Sequence, residues 1–409
     1  MNCTPQPELE NPWQKRSELP RLPISHTVTS VLALLIASLG LPFFSYEWVA
    51  VAMLAYFFFY VVYTAKTPFT VTVILVTAVL TVLFGGTLQI GAFVMALLIG
   101  TMSCCFLLTA SRLRWFSLLI PVLAFAAAAG ITQSPIWALL ALAFVPSALL
   151  LAYATLSGRG RTSAICFSVL GFVLVVLGVL AAVIATVKGG LGREQILSSV
   201  NDAREWLLAL LQQFRDLMLE STEGVLTEQT GEVGTRIMEV LSDEALTEVV
   251  AQLFNILPGL LVVLFSVISF EAQMLLNAGY HRAGLDAVLT REARFLTVSV
   301  SAAVLYAVSF LLMLVLPLTS IASAVAQNLA LILMPILCVM GIQGLLLSLS
   351  RSRGGLRMLL IMMILFLLCC SGGSALYILG MWGAYTRIML LVQQKMLEKM
   401  GGGQPPSNG

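Results

Sequence analysis

From Ile24 to Val187 the chain carries six charged side chains: Glu47, Lys66, Arg112, Arg114, Arg159 and Arg161. A stretch so poor in charge cannot present a wetted surface. Its charges fall at the joints between apolar runs of about 20 residues, the length that crosses a hydrocarbon core of roughly 30 Å. Over the whole chain 59% of residues are apolar and 10% charged, where a soluble domain carries roughly 25% charged. The fold class that follows is all-α, a polytopic integral membrane bundle whose chief partner is the lipid bilayer. In hydrocarbon only helices and closed barrels satisfy their own backbone. The net charge of +2 decides nothing about nucleic acid, which is not expected as a partner.

Spans are expected near 26–45, 48–65, 69–87, 89–110, 115–130, 136–157, 163–187, 255–277, 296–317, 321–349 and 357–380, about eleven in all. Turn residues and charges separate them, among them Lys66-Thr67-Pro68, Gln133-Ser134-Pro135 and Gly158-Arg159-Gly160-Arg161. Basic residues resist translocation, so their distribution orients the bundle. They gather on alternate segments: the N-terminal tail, Lys66, Arg112/Arg114, Arg159/Arg161, Arg282/Arg291/Arg294 and Arg351/Arg353/Arg357. The short loops on the other side carry none. The N-terminus is therefore expected inside. Residues 1–24 hold Glu8, Glu10 and Glu18 beside Lys15, Arg16 and Arg21, too long and acidic for the basic start of a signal peptide.

The far end departs from this alternation, because Arg387, Lys395 and Lys399 follow the last span. Residues 357–394 would reach about 57 Å as one helix. Either the chain turns at Gly372-Gly373 and returns, or the last helix leaves the membrane along its interface. The return leaves a short outgoing leg, which favours about eleven spans.

Residues 189–253 form the one substantial polar segment, with 12 Asp and Glu. Ile196, Val200, Ala203, Leu207, Leu210, Phe214 and Leu217 recur at alternating four- and three-residue intervals, the mark of an amphipathic helix with one buried face. A second helix is expected from about Thr235 into the next span, with a turn between Ser221 and Gly234. The result is an acidic extramembrane helical hairpin on the outer face. It is either a lid that gathers cations or a solvated spacer, and no calcium loop decides between them. The chain thus divides into a cytoplasmic tail (1–24), a membrane bundle of about seven helices (25–188), the acidic insert (189–253), a bundle of about four helices (254–394) and a disordered tail (395–409).

Polar side chains in hydrocarbon cost several kcal/mol unless partnered, so they are the default functional candidates. Glu271, Gln327, Asn328 and Gln343 are the expected substrate-binding set. Glu271 alternatively snorkels or pairs with Arg282. Pro335 permits either a broken helix lining a cavity or a simple kink. The small-xxx-small pair Ala33 and Ala37 suits close helix approach. Six of the seven cysteines lie in apolar runs, and with only His26 and His281 no zinc spacing exists. No phosphate loop, metalloprotease helix or nucleophile elbow occurs, so no catalytic residue, metal or cofactor is expected and the chain is read as a non-enzyme.

The run from Val200-Asn201-Asp202 through Leu257-Pro258-Gly259-Leu260-Leu261, Asn277, Asn328, Gln343-Gly344, Arg351-Ser352-Arg353 and Leu379-Gly380 to Trp382 and Arg387 resembles the YybS family of bacterial membrane proteins of unknown function. That resemblance covers roughly residues 195–390 and implies a bacterial cytoplasmic membrane. It departs from the family pattern in two extra N-terminal spans and in lacking an aspartate between Gly380 and Arg387. The family is similar to the solute-binding subunits of energy-coupling-factor vitamin transporters. This similarity implies a separate membrane coupling protein as partner, docked on Ala33 and Ala37. The leading expectation is thus a transport-related solute-binding subunit without its own ATPase. The rival is a scaffold or assembly protein acting through the acidic hairpin.

Overall fold

The computed structural model describes residues 24–45, 48, 49, 51–53, 55, 56, 88–110, 116, 118–133, 143–229, 242–285, 298–317, 320–351 and 373–401. Among these the regular elements are all helices. In chain order they are α1 (Ile24–Phe43), α2 (Leu88–Ala110), α3 (Leu119–Thr132), α4 (Phe144–Leu156), α5 (Arg161–Lys188), α6 (Arg193–Gln229), α7 (Asp243–Arg282), α8 (Val300–Val315), α9 (Ile321–Arg351) and α10 (Gly373–Gly401). Four are long and apolar enough to cross a membrane, over Ala92–Ala110, Arg161–Lys188, Asp243–His281 and Ile321–Ile342. The expected spans near 26–45, 163–187 and 321–349 correspond closely to α1, α5 and α9. The expected span 69–87, most of 48–65 and residues 357–372 lie outside the described residues.

Helix ends follow local chemistry. Gly284 takes a left-handed φ of 72°, and the Leu285 N–H donates to Tyr280 O at 2.8 Å, closing the last turn of α7 in a Schellman pattern. The Ser299 hydroxyl accepts from Ala302 N–H at 3.2 Å and starts α8. Pro317 follows its last turn. Pro335 does not interrupt α9, which runs through it.

The chain divides into two compact units, residues 1–180 with 264–295, and residues 181–263 with 296–409. In the first, α1 packs on α2 and α3, and α2 packs on α4. The α2–α4 contact is close because the Phe144 ring lies where Gly100 has no side chain. Leu170, Leu174 and Leu177 on α5 stay exposed, as expected of a helix that faces lipid.

In the second unit α8, α9 and α10 pack against one another. Contacts between α8 and α10 run in opposite senses along the two helices: Arg387 Nε donates to Val298 O at 2.6 Å, while Tyr306 OH donates to Tyr377 O at 3.1 Å. Contacts between α9 and α10 run in the same sense. Cys338 Sγ meets Leu376 O at 2.9 Å, and Gly344 lies against Thr386 Oγ1. Thus α10 lies parallel to α9, and it ends at the end of the bundle where α8 starts. The two parallel helices cross through glycine, since a Cβ on Gly341 would strike Leu379 O and one on Gly383 would strike Leu337 O.

The first helix of the polar segment differs from the expectation in its length and in the side it buries. Helix α6 is 37 residues long, about 55 Å, and runs through Ser221 to Gln229, where a turn was expected. Its expected buried stripe is exposed at Ile196, Val200, Ala203 and Leu210. Leu207 of that stripe is half-buried, and so are Arg204, Leu208, Leu211 and Arg215, roughly a quarter turn from the exposed members. Two anchors rotate the helix. The Arg204 guanidinium lies 5.5 Å from the Phe254 ring centroid, and Arg215 pairs with Asp243 at 2.6 Å. These pairs set α6 antiparallel to the first part of α7.

The glycine crossing makes a direct prediction. Gly383→Ala should lower the unfolding free energy in detergent by about 1–3 kcal/mol. Gly178→Ala on α5, where a Cβ would meet nothing, should leave it unchanged. Thermal unfolding that treats the two variants alike would remove the glycine contact as the cause.

Candidate functional site

Two polar arrangements lie in the apolar part of the structure, one in each unit. The first surrounds Pro258 on α7. Proline has no N–H and its ring crowds the preceding turn, so an interior proline breaks the helical ladder. Here the carboxamide of Asn328 on α9 enters the break. Its Oδ1 accepts from Gly259 N–H at 2.6 Å. Its Nδ2 donates to Asn255 O at 2.6 Å and to Ala324 O at 2.8 Å. Gly259 N–H and Asn255 C=O are the donor and acceptor that an unbroken helix would join to each other. One side chain therefore stands in for the lost bond. Gly259 admits it, because a Cβ there would lie 2.7 Å from Asn328 Oδ1.

Both Nδ2 hydrogens of Asn328 are engaged, which leaves it little to offer a substrate. Gln327, one residue earlier, is half-buried with Nε2 3.4 Å from Ser323 Oγ. Gln343 lies further along α9, and its side chain is outside the described residues. These three belong to the second unit and Glu271 to the first.

The second arrangement is on the last third of α7. Ser269, Gln273 and Tyr280 share one helical face by their spacing. Ser269 Oγ donates to Ser168 Oγ on α5 at 3.0 Å, and Ser168 Oγ lies 2.6 Å from Ser147 Oγ on α4. Tyr280 OH lies 2.7 Å from Thr109 Oγ1 on α2 and stacks on Phe106 at 5.2 Å. Gln273, between these two bonded positions, is 2% exposed, and its Oε1 has no hydrogen-bond partner. Thr101 Oγ1 on α2 is also buried without a partner. Glu271 is buried at 7% exposure.

Sequence reading placed Glu271 in the membrane but gave Gln273 no role. It also missed the serine trio and the Tyr280–Thr109 pair. Small hydroxyls at helical spacing are common in apolar helices, and only packing reveals which ones meet. Ala33 and Ala37 are both fully buried within the first unit, so a docking partner would have to displace what covers them. Among the described residues no group of three His, Cys, Asp or Glu is placed to hold a metal.

Outside the apolar segments Arg215 joins Asp243 and Asp216, the latter at 2.9 Å. The hydrogen bonds from Arg215 and then from Gln212 hold the Asp243 carboxyl below its usual range. A depressed carboxylate contributes above its unfolded pKa and loses that contribution as pH falls through the folded value. The tie therefore persists through ordinary carboxylate titration and fades only in stronger acid.

The Asn328 bridge is testable through Pro258. Asn328→Leu should cost about 1–3 kcal/mol by leaving two backbone groups unpaired. In a Pro258→Ala background the ladder can close itself, so the same substitution should cost less. Thermal unfolding of the four proteins gives the coupling, and strict additivity would show that the amide does not serve the break.

A family described as a predicted membrane protein (DUF2232) matches residues 104–383. That match covers more than half of the chain, from α2 to α10, and the chain belongs to this family. No curated protein and no solved structure matches it.

Proposed function

We propose that this DUF2232 protein is a solute-binding, transport-type membrane subunit without its own ATPase, with its site beside Gln273 and Glu271 on α7. The observation that carries this reading is the buried Gln273 Oε1 without a partner. A buried acceptor left unmet costs roughly 1–3 kcal/mol, and hydrocarbon offers no water to offset it. A small solute bearing amide, amine or hydroxyl donors would meet it. The orphan oxygen of Thr101, in the same unit, extends the acceptor set. The resemblance to the YybS family and to vitamin-transporter subunits fits a chain energised by a separate coupling protein.

The topology that goes with this reading has both termini in the cytoplasm of a bacterial cell, with α6 outside and about twelve crossings. Its support is the direction of α10. A helix parallel to α9 ends on the side where α9 ends, so on this reading Arg387, Lys395 and Lys399 fall with the other basic segments. A second reading, a scaffold acting through the acidic helix, draws on the exposed Ile196, Val200 and Leu210 of α6.

Binding is tested on purified protein by thermal shift against a panel of small polar solutes. Solutes that stabilise the native chain should fail with Gln273→Leu. Stabilisation that survives the substitution would place the site elsewhere, and a scaffold would respond to none of the panel. For topology, green fluorescent protein fused after Gly409 should fluoresce and alkaline phosphatase at the same point should be inactive. The reverse pattern would restore an odd number of crossings.

A further inference from the structure

Helix α6 carries arginines at three-turn spacing, and two of them face α7 in different circumstances. Arg215 has carboxylates on both sides, Asp216 and Asp243. Arg204 has none. Among the described residues no carboxylate reaches it within salt-bridge distance. The nearby Asp202 pairs with Lys188 at 2.6 Å. Arg204 stacks on Phe254 at 5.5 Å, and its Nε is buried with no hydrogen-bond acceptor. A cation–π contact compensates a guanidinium only in part and leaves its in-plane N–H donors unused. A half-buried charge in that condition is costly unless an anion meets it.

Its surroundings narrow the anion. Phe254 stands at the polar end of the apolar run of α7. Leu253 and Leu257 beside it are exposed, as is Leu197 two turns before Arg204 on the same face of α6. A planar cation edged by uncovered hydrocarbon matches a phosphate group attached to acyl chains, because guanidinium pairs with phosphate through two parallel N–H bonds. We infer that Arg204, presented on the Phe254 ring, binds a phosphate oxyanion supplied from outside the chain, either as a phospholipid headgroup or as free phosphate. The site is separate from the one assigned to Gln273 and does not depend on it.

The test uses the purified full-length protein in detergent. Native mass spectrometry during titration with dioleoyl-phosphatidylglycerol or dioleoyl-phosphatidylcholine reads lipid binding, and thermal shift with inorganic phosphate reads the soluble anion. Phosphatidylglycerol should bind the native chain about tenfold more tightly than Arg204→Gln, the loss expected of one charge-assisted contact. Arg193→Gln, which removes an exposed charge from the same helix, should match the native chain. Phosphate stabilisation lost in Arg204→Gln, without a phosphatidylglycerol preference, would support the free anion as the source. If Arg204→Gln does not fold, Arg204→Lys, which keeps the charge but not the planar edge, should still weaken binding. A native chain that binds neither probe, or an Arg204→Gln protein that binds both as the native chain does, overturns the inference.

Discussion

A helix in hydrocarbon must satisfy its own backbone, and α7 cannot do so at Pro258. The remedy fixes much of the second unit. Asn328 must come within 2.6 Å of Gly259 N–H, which brings the backbone of α9 almost onto α7 and allows no side chain at position 259. Once α9 is held there, Gly341 and Gly344 face α10. Their lack of side chains lets α10 lie parallel and close, with Tyr306 of α8 closing over Gly380. Each contact uses the absence of a Cβ on one helix to admit backbone or a polar tip from the next. Such packing suits a membrane, where burying leucine against leucine gains little over burying it against lipid.

The direction of α10 bears on the charge pattern in the same physical way. Read as one long helix from Arg357, the C-terminal segment strands three basic residues on the wrong side. Lying parallel to α9, α10 carries Arg387 to the backbone oxygen of Val298. On the proposed topology the basic residues from the tail to Lys399 share one side. The glycine pair at 372–373 was visible in the sequence, but the shortness of the outgoing apolar leg argued against a turn there.

What the sequence disclosed and what it hid divide along the range of the interactions. Runs such as 163–187 and 321–349 depend on local hydropathy and reappear as α5 and α9 within a few residues. The periodic spacing on α6 was also local, and α6 is a helix. Which side of α6 faces α7 was not legible, because Arg204–Phe254 and Arg215–Asp243 join residues 50 and 28 positions apart. Apolar periodicity assigns no weight to an arginine on a ring. Asn328 and Pro258 were each noticeable alone, one as a polar residue in a span and the other as part of a resembling motif. Nothing in either segment says that the amide of one replaces the missing bond of the other.

That pairing changes how a polar residue within a membrane helix is to be read. Residue type made Asn328 as strong a candidate as Glu271, yet its donors already serve the backbone. Gln273 was not in the expected binding set, yet its acceptor is the one left unmet between two bonded positions on α7. The informative quantity is the unsatisfied remainder after internal partners are counted, because an internal partner cancels the desolvation cost that a ligand would otherwise relieve. On that measure the polar content of the second unit's helix contacts is mostly structural, and the remainder in the first unit sits with Gln273 and Thr101.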